Sequence, residues 1–302
     1  MRVTQAMMSN TILNNINSNY AKLADYQNEL SSGKKLTKPS DDPVGASLSV
    51  SYRADLDHIT QYQKNVTTAQ KWMSSTSDAL TQVSSILDQI NDLTLQANNG
   101  TQTSSELNAD ATEVDQLTQQ LVTIGNTQVG SQYIFSGADS ANPPLSMTTD
   151  ANGNTVVTLS SASMNPSNAN VNMTVNDGTQ IAVNVAPGKV FSQQLFTDLS
   201  NLTTSLRSGN TSGLSNSLAA LSTDKDTVVN VQADIGAKQQ RLDMISGFLS
   251  DQSTTTTQIK SNNEDADYAQ TIVGLNQQQS VFQASLAAGA RIIQKSLVDY
   301  LN

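Results

Sequence analysis

Apolar residues recur along this chain at two periods, and the longest signal lies between Val44 and Ala97. Ile59, Tyr62, Val66, Ala69, Met73, Thr76, Leu80, Val83, Leu87, Ile90, Thr94 and Ala97 follow one another at steps of three and four. That is a heptad seam. A helix from Val44 to Ala97 rises 1.5 Å per residue and is expected to form a rod of roughly 80 Å. A sparser stripe precedes it, with Ile12, Ile16, Tyr20, Leu23 and Leu30 on one side of a first helix. The stripe is too thin to hold a helix by itself.

Between the two stripes stands GKKLTKPSDDP. Gly33 is expected to end the first helix. Asp41 and Asp42 supply turn and capping carboxylates, with Asp42 as N-cap and Pro43 in the first helical position, where its missing N–H has no intrahelical partner to lose. After Ala97, Asn98-Asn99-Gly100 ends the rod. Ser104 or Ser105 is then expected to cap a third helix carrying Leu107, Val114, Leu117, Leu121 and Ile124.

From Tyr133 the period changes. NTVVTLS and VNMTVNDGTQIAVNV alternate apolar and polar residues, and the second reads as a β-hairpin turning at Asp177-Gly178. Helical spacing returns at Leu195, Leu199, Leu202 and Leu206. A second long seam runs through Leu214, Leu218, Leu221, Val228, Ile235, Leu242 and Leu249. The polar STTTTQIKSNNEDAD is expected to be a joint, and a last helix carries Tyr268, Ile272, Leu275, Phe282, Leu286, Ile293 and Leu297 on one side.

The predicted fold is mainly α with a β insertion. The N- and C-terminal arms form a long antiparallel coiled-coil-like rod, and a small β-rich domain lies at its far end. Residues 1–42 and 265–302 are expected to form a terminal-helix assembly domain, 43–135 and 190–264 the rod, and 136–189 the insertion. Folding back at the insertion would let the seams bury each other, at roughly 1.5–3 kcal/mol per well-buried large side chain.

Composition sharpens this picture. Of the 302 residues 37% are apolar and 4% aromatic, which suits long wet elements better than one large core. The formal net charge of -10 argues against a nucleic-acid partner, since phosphate neutralisation needs Lys and Arg. Lys34, Lys35 and Lys38 form the densest basic cluster and read as a solvated turn. There is no cysteine, so disulfides, thiolate metal sites and Cys nucleophiles are excluded together. No apolar run suits a secretory signal or a membrane span, so no membrane insertion is expected.

Candidate chemistry is thin. The one histidine, His58, sits beside the seam residue Ile59 and reads as a solvated or packing residue. Asp150 to Asn154 has a passing likeness to a calcium loop but lacks the bidentate Glu, and a β-turn fits better. Glu264, Asp265 and Asp267 suit the positive end of a helix dipole. No catalytic, cofactor or metal residue is expected, and the protein reads as a non-enzyme. What remains is assembly. Ile12, Ile16, Leu23, Leu30, Leu275, Phe282, Leu286, Ile293 and Leu297 are the candidate interface, since a two-helix hairpin cannot fully bury them. Head-to-tail association through such faces gives rings or helical tubes.

ILNNINSNYAKLADYQNELSSGKKLTKPSDDPVGASLS resembles the N-terminal region of the bacterial flagellin family, in its Leu30-Ser31-Ser32-Gly33 turn and its Asp41-Asp42 pair. The C-terminal DADYAQTIVGLNQQQSVFQASLAAGARIIQKSLVDYLN agrees. Asp41-Asp42-Pro43 and the closing Leu297-Val298-Asp299-Tyr300-Leu301 resemble the family's hook-associated branch more than flagellin, the bulk filament subunit and the alternative reading. The resemblance implies a structural adaptor outside the cell, in the flagellum at the hook–filament junction. It implies self-association in a ring or helical tube, with the preceding hook-associated protein on one side and flagellin on the other. It further implies passage through the flagellar secretion apparatus without a cleaved signal, and a dedicated export chaperone on the C-terminal region.

Overall fold

A computed structural model describes residues 5–149, 155–160, 170–185 and 188–298. The expected Asp150–Asn154 turn therefore lies outside the described residues. The chain forms two compact units, one made of Met1–His58 with Asp251–Asn302, the other of Ile59–Ser250. Six helices are described: α1 (Gln5–Ser32), α2 (Pro43–Asn98), α3 (Ser104–Gly125), α4 (Gln193–Ser208), α5 (Thr211–Glu264) and α6 (Tyr268–Val298). Three antiparallel hairpins lie between α3 and α4. They pair β1 (Gln128–Val129) with β2 (Gln132–Tyr133), β3 (Leu145–Thr149) with β4 (Thr155–Leu159), and β5 (Asn172–Asn176) with β6 (Thr179–Ala182).

In the second unit the heptad seam of α2 is the core. Of its twelve predicted members from Ile59 to Ala97 only Tyr62 is not fully buried, and the polar members Thr76 and Thr94 have no exposed surface. Their hydroxyls donate to the carbonyls of Trp72 and Ile90 at 2.9 and 2.6 Å, so burial leaves neither polar group unsatisfied. Helix α5 answers with Leu214, Leu221, Val228, Ile235, Leu242 and Leu249, one buried residue at every seventh position, while Leu218 is half-buried. The two run antiparallel. Gln70 bonds Asp243 at 2.7 Å, Lys225 bonds Asp88 at 2.5 Å and Ser215 bonds Asn98 at 3.2 Å, each step forward on α2 matching an equal step back on α5.

Helices α3 and α4 widen this core with Val114, Leu121 and Ile124, and with Leu195, Leu199, Leu202 and Leu206, all buried as their spacing predicts. The cap of α3 differs from expectation. Thr103, not Ser104 or Ser105, is the N-cap, and it forms a reciprocal capping box with Glu106. Only Thr103 has an acid three residues on that can reach back to its own N–H.

The hairpin at Asp177-Gly178 is as predicted, with Gly178 at φ +67°. Strands β1, β2 and β3 are absent from the sequence reading. The first two have only two residues each, too short to show a period, and β3 is preceded by Pro143-Pro144. The hairpins lean on the helices. Asn126, just after α3, gives and receives backbone hydrogen bonds at Leu145 (3.0 and 3.1 Å), and Asn65 of α2 donates to the Thr174 carbonyl at 2.7 Å. The Phe135 and Phe191 rings meet edge to face, 5.0 Å apart.

One polar residue breaks the α5 seam. Asp224 is half-buried, and its Oδ2 is shielded from water with no hydrogen-bond partner among the described residues. Burial, with Asp198 of α4 adding to it, pushes its carboxyl up to about 6. The folded state thus holds a proton that the unfolded chain releases near pH 4, so stability falls as pH rises through 6. Asp224→Asn is expected to gain about 1 kcal/mol at pH 7, the roughly 3 kcal/mol implied by the shift being discounted for remaining solvent screening. It should also flatten the dependence between pH 4 and 7, which urea unfolding across that range would measure.

Candidate assembly surface

The first unit is built on a different principle. Every buried apolar side chain among the described residues, from Ile59 to Leu249, belongs to the second unit. Among its described residues the first has Ser49, Glu264 and Thr271 as buried polar side chains. Its exposed large apolar side chains are correspondingly many. Met7, Met8, Leu13, Tyr20, Tyr268, Ile272, Val273, Val281 and Leu286 lie on α1 and α6, and Val44, Leu48, Val50 and Ile259 on the flanking ends of α2 and α5. Of the nineteen such side chains among the described residues, thirteen fall in this unit.

Helices α1 and α6 pair antiparallel through polar and small residues. Asn19 donates to the Ser285 hydroxyl at 3.0 Å and accepts from Gln278 at 3.2 Å. Gly289 is buried against Ile12 and Ile16, where an added Cβ would lie 3.2 Å from the Ile12 methyl, so the two helices approach closely here. The Tyr20 and Phe282 rings are tilted 46° with centroids 6.0 Å apart.

Of the predicted interface residues, Ile12, Ile16, Leu23, Leu30, Leu275 and Phe282 are half-buried, and Leu286 remains 47% exposed. Ile293 and Leu297 lie on α6, but their side chains fall outside the described residues. Ile12, Leu13, Ile16 and Leu286 come together with Ser9, Gly289 and Ala290 around a shallow, almost wholly apolar groove of about 330 Å³.

At the other end of the pair, the two interhelical turns lock together. Helix α1 stops at Ser32, and Gly33 takes φ +71°, a left-handed conformation that costs glycine nothing. Asp42 caps α2 as predicted, accepting from the N–H groups of Val44 (3.1 Å) and Gly45 (3.0 Å), and Pro43 opens the helix. Asp41 accepts from the Lys38 N–H and from Thr37 and Ser40, and these bonds, the first above all, hold its carboxyl below the usual range. Lys35 N–H donates to the Glu264 carbonyl, and Ala266 N–H to that of Gly33, each at 2.9 Å.

Two expectations on the C-terminal side are corrected. STTTTQIKSNNE is no joint: α5 runs unbroken to Glu264, and only Asp265–Asp267 break it before α6 opens at Tyr268. Asp267 does cap α6, accepting from Ala269 and Gln270. Glu264 does not cap. It is the last residue of α5 and 2% exposed, with its carboxylate 3.2 Å from Lys34, 2.5 Å from Arg53 and 3.4 Å from Lys260. Burial alone would raise its pKa, but the hydrogen bonds and charges of Arg53 and Lys34 outweigh this and pull it to about 2. An acid four residues after Lys260 was a legible signal of one pairing. The other two cations come from more than two hundred residues away.

Comparison with known proteins places this architecture. The bacterial flagellin N-terminal helical region matches residues 3–140, and the flagellin C-terminal helical region matches 218–301. The chain belongs to the bacterial flagellin family. Two relatives that match it end to end are flagellar hook-associated proteins 3. That of Escherichia coli K12 is 26% identical over 95% of this chain and 96% of its own, and that of Salmonella typhimurium LT2 is 26% identical over 94% and 95%. A flagellin of Clostridium tyrobutyricum matches only 50% of the chain and 42% of its own, at 24% identity. Among solved structures, hook-associated protein 3 of Legionella pneumophila superposes with a TM-score of 0.61 at 13% identity, covering 70% of this chain and 97% of its own. FlgL of Bacillus cereus gives 0.57 at 23%, over 70% and 99%. These two share the fold.

Because the folded-state pKa of Glu264 lies below its unfolded value, its contribution is complete above about pH 4.5 and is lost as pH falls toward 2. The amide resonances of Lys34, Lys35 and Ala266 are expected to move together in that window in an NMR titration. Asp42→Ala should cost about 1 kcal/mol through loss of the cap, visible as faster amide exchange in the first turns of α2.

Proposed function

We propose that this protein is a structural adaptor subunit at the bacterial flagellar hook–filament junction, polymerising into a short tubular zone between the hook side and the flagellin filament. The observation that carries this reading is the division of apolar residues between the two units: one buries a full heptad core, while the other, among its described residues, buries no apolar side chain fully and exposes thirteen large ones. An element that holds so many exposed apolar groups next to a core-less helix pair is built to be covered by neighbours.

Residues 1–42 and 265–302 supply the contacts between copies. Residues 43–135 with 190–264 act as the helical rod, and 136–189 as its β-rich insertion. Ile12, Ile16, Leu23, Leu30, Leu275, Phe282, Leu286, Ile293 and Leu297 are the assembly residues, the exposed Leu286 being the most accessible of those described. One edge of the ring meets the preceding hook-associated protein and the other meets flagellin. The subunit reaches the cell exterior through the flagellar secretion apparatus, with an export chaperone on its C-terminal region. The work is mechanical and needs no active site.

Leu286→Asp places a charge in the apolar groove and is expected to abolish incorporation into flagella while leaving the heptad core folded. Motility of a strain whose only copy carries the substitution, read beside the unfolding midpoint of the purified protein, tests this. Normal motility would overturn the assignment. A copy number per flagellum near that of flagellin would favour the bulk-subunit alternative.

A further inference from the structure

We infer that Glu264 with Lys34 and Arg53 forms a charge latch that docks or releases the α1–α6 pair as one piece against the neighbouring ends of α2 and α5. The inference goes beyond the junction role and holds whatever partner the terminal helices meet.

Glu264 is the one charged side chain among the described residues that is buried. Its cations arrive from separate segments: Lys34 from the α1–α2 turn, Arg53 from α2, and Lys260 from one turn back on α5. Backbone bonds from Lys35 to Glu264 and from Ala266 to Gly33 close the same ring, and Asn263 adds bonds to the Gly45 carbonyl and the Ser49 hydroxyl. With no buried apolar side chain among the described residues of this unit, these contacts are what fixes the register of the turns.

The network is asymmetric in a way that suits release. The carboxylate is 3% exposed, whereas Lys34 and Arg53 keep 40% and 52% of their side-chain surface. On opening, only the carboxylate regains its hydration; the cations largely have theirs already. Rehydration of the carboxylate offsets part of its attraction to the cations, whereas loss of the cations alone would leave a buried, uncompensated charge. Docked, it presents the apolar side chains of α1 and α6 together with Val44, Leu48 and Ile259. Released, it frees α1 and α6 without disturbing the heptad core.

A charge latch and a mere packing contact respond in opposite order to substitution. Lys34→Met with Arg53→Met leaves a buried carboxylate with one cation, whereas Glu264→Gln removes the buried charge. Combining all three leaves no buried carboxylate to desolvate, with only the part-exposed Lys260 remaining. Amide hydrogen exchange of the full chain at pH 7 is the readout. In Lys34→Met/Arg53→Met, α1 and α6 should exchange at least about tenfold faster than in the parent, with Ile59–Ser250 unchanged. Glu264→Gln should be intermediate, and the triple variant should return toward the parent. If the two-cation variant protects α1 and α6 as well as the parent, or if the triple variant is the worst of the three, the latch is refuted. Loss of protection throughout Ile59–Ser250 would refute the claim that release is confined to the terminal pair.

Discussion

The constraint on which the structure depends is where a modest supply of apolar side chains is spent. With 37% apolar residues, the chain cannot bury a core along its whole length, and it concentrates burial between Ile59 and Leu249. There α2 contributes almost every third or fourth residue and α5 one at every seventh position together with Ser217 and Val231, and the hairpins and α3–α4 add to the same core. Each buried Leu, Ile or Val contributes roughly 1.5–3 kcal/mol. The polar seam residues Thr76 and Thr94 are tolerated because each hydroxyl returns to a carbonyl of its own helix.

The first unit is the complement of this choice. Its helices pair through Asn19, Gln278, Ser285 and Gly289, groups that define a register but bury little apolar surface. Its firmest contacts are ionic and hydrogen-bonded, gathered where the α1–α2 turn meets the end of α5. Removing one partner from such a buried charge cluster costs more than the cluster adds, and among the described residues the large apolar side chains of this unit are exposed or only half-buried. The membership in the flagellin family and the end-to-end match to hook-associated proteins 3 agree with a protein whose work is done by surfaces between copies.

Helix stripes, caps and turns were legible in the sequence because each is a local property. The seam from Ile59 to Ala97, the Asp42 cap with Pro43 after it, Gly33 at the end of α1 and the Asp-Gly hairpin all follow from spacing and backbone chemistry within a few residues. The Thr103 cap is local in the same way, since Glu106 stands three residues on; the joint is a different case. STTTTQIKSNNE looked like a joint because β-branched and amide residues are weak helix formers, yet the structure carries α5 straight through it.

The sequence by itself thus determined which segments are helices, which side of each is apolar, and that the two long seams share a period. Tertiary structure alone decided what those sides meet. Glu264 and Lys34 are separated by 230 positions, and Arg53 and Glu264 by 211. No local pattern marks such a pair, since an acid near a helix end serves equally well as a cap or as a buried partner until folding brings the cations to it. Likewise, only the packed chain shows that one apolar stripe is fully covered and another only half-covered. Burial depends on the neighbour that arrives, which periodicity cannot name.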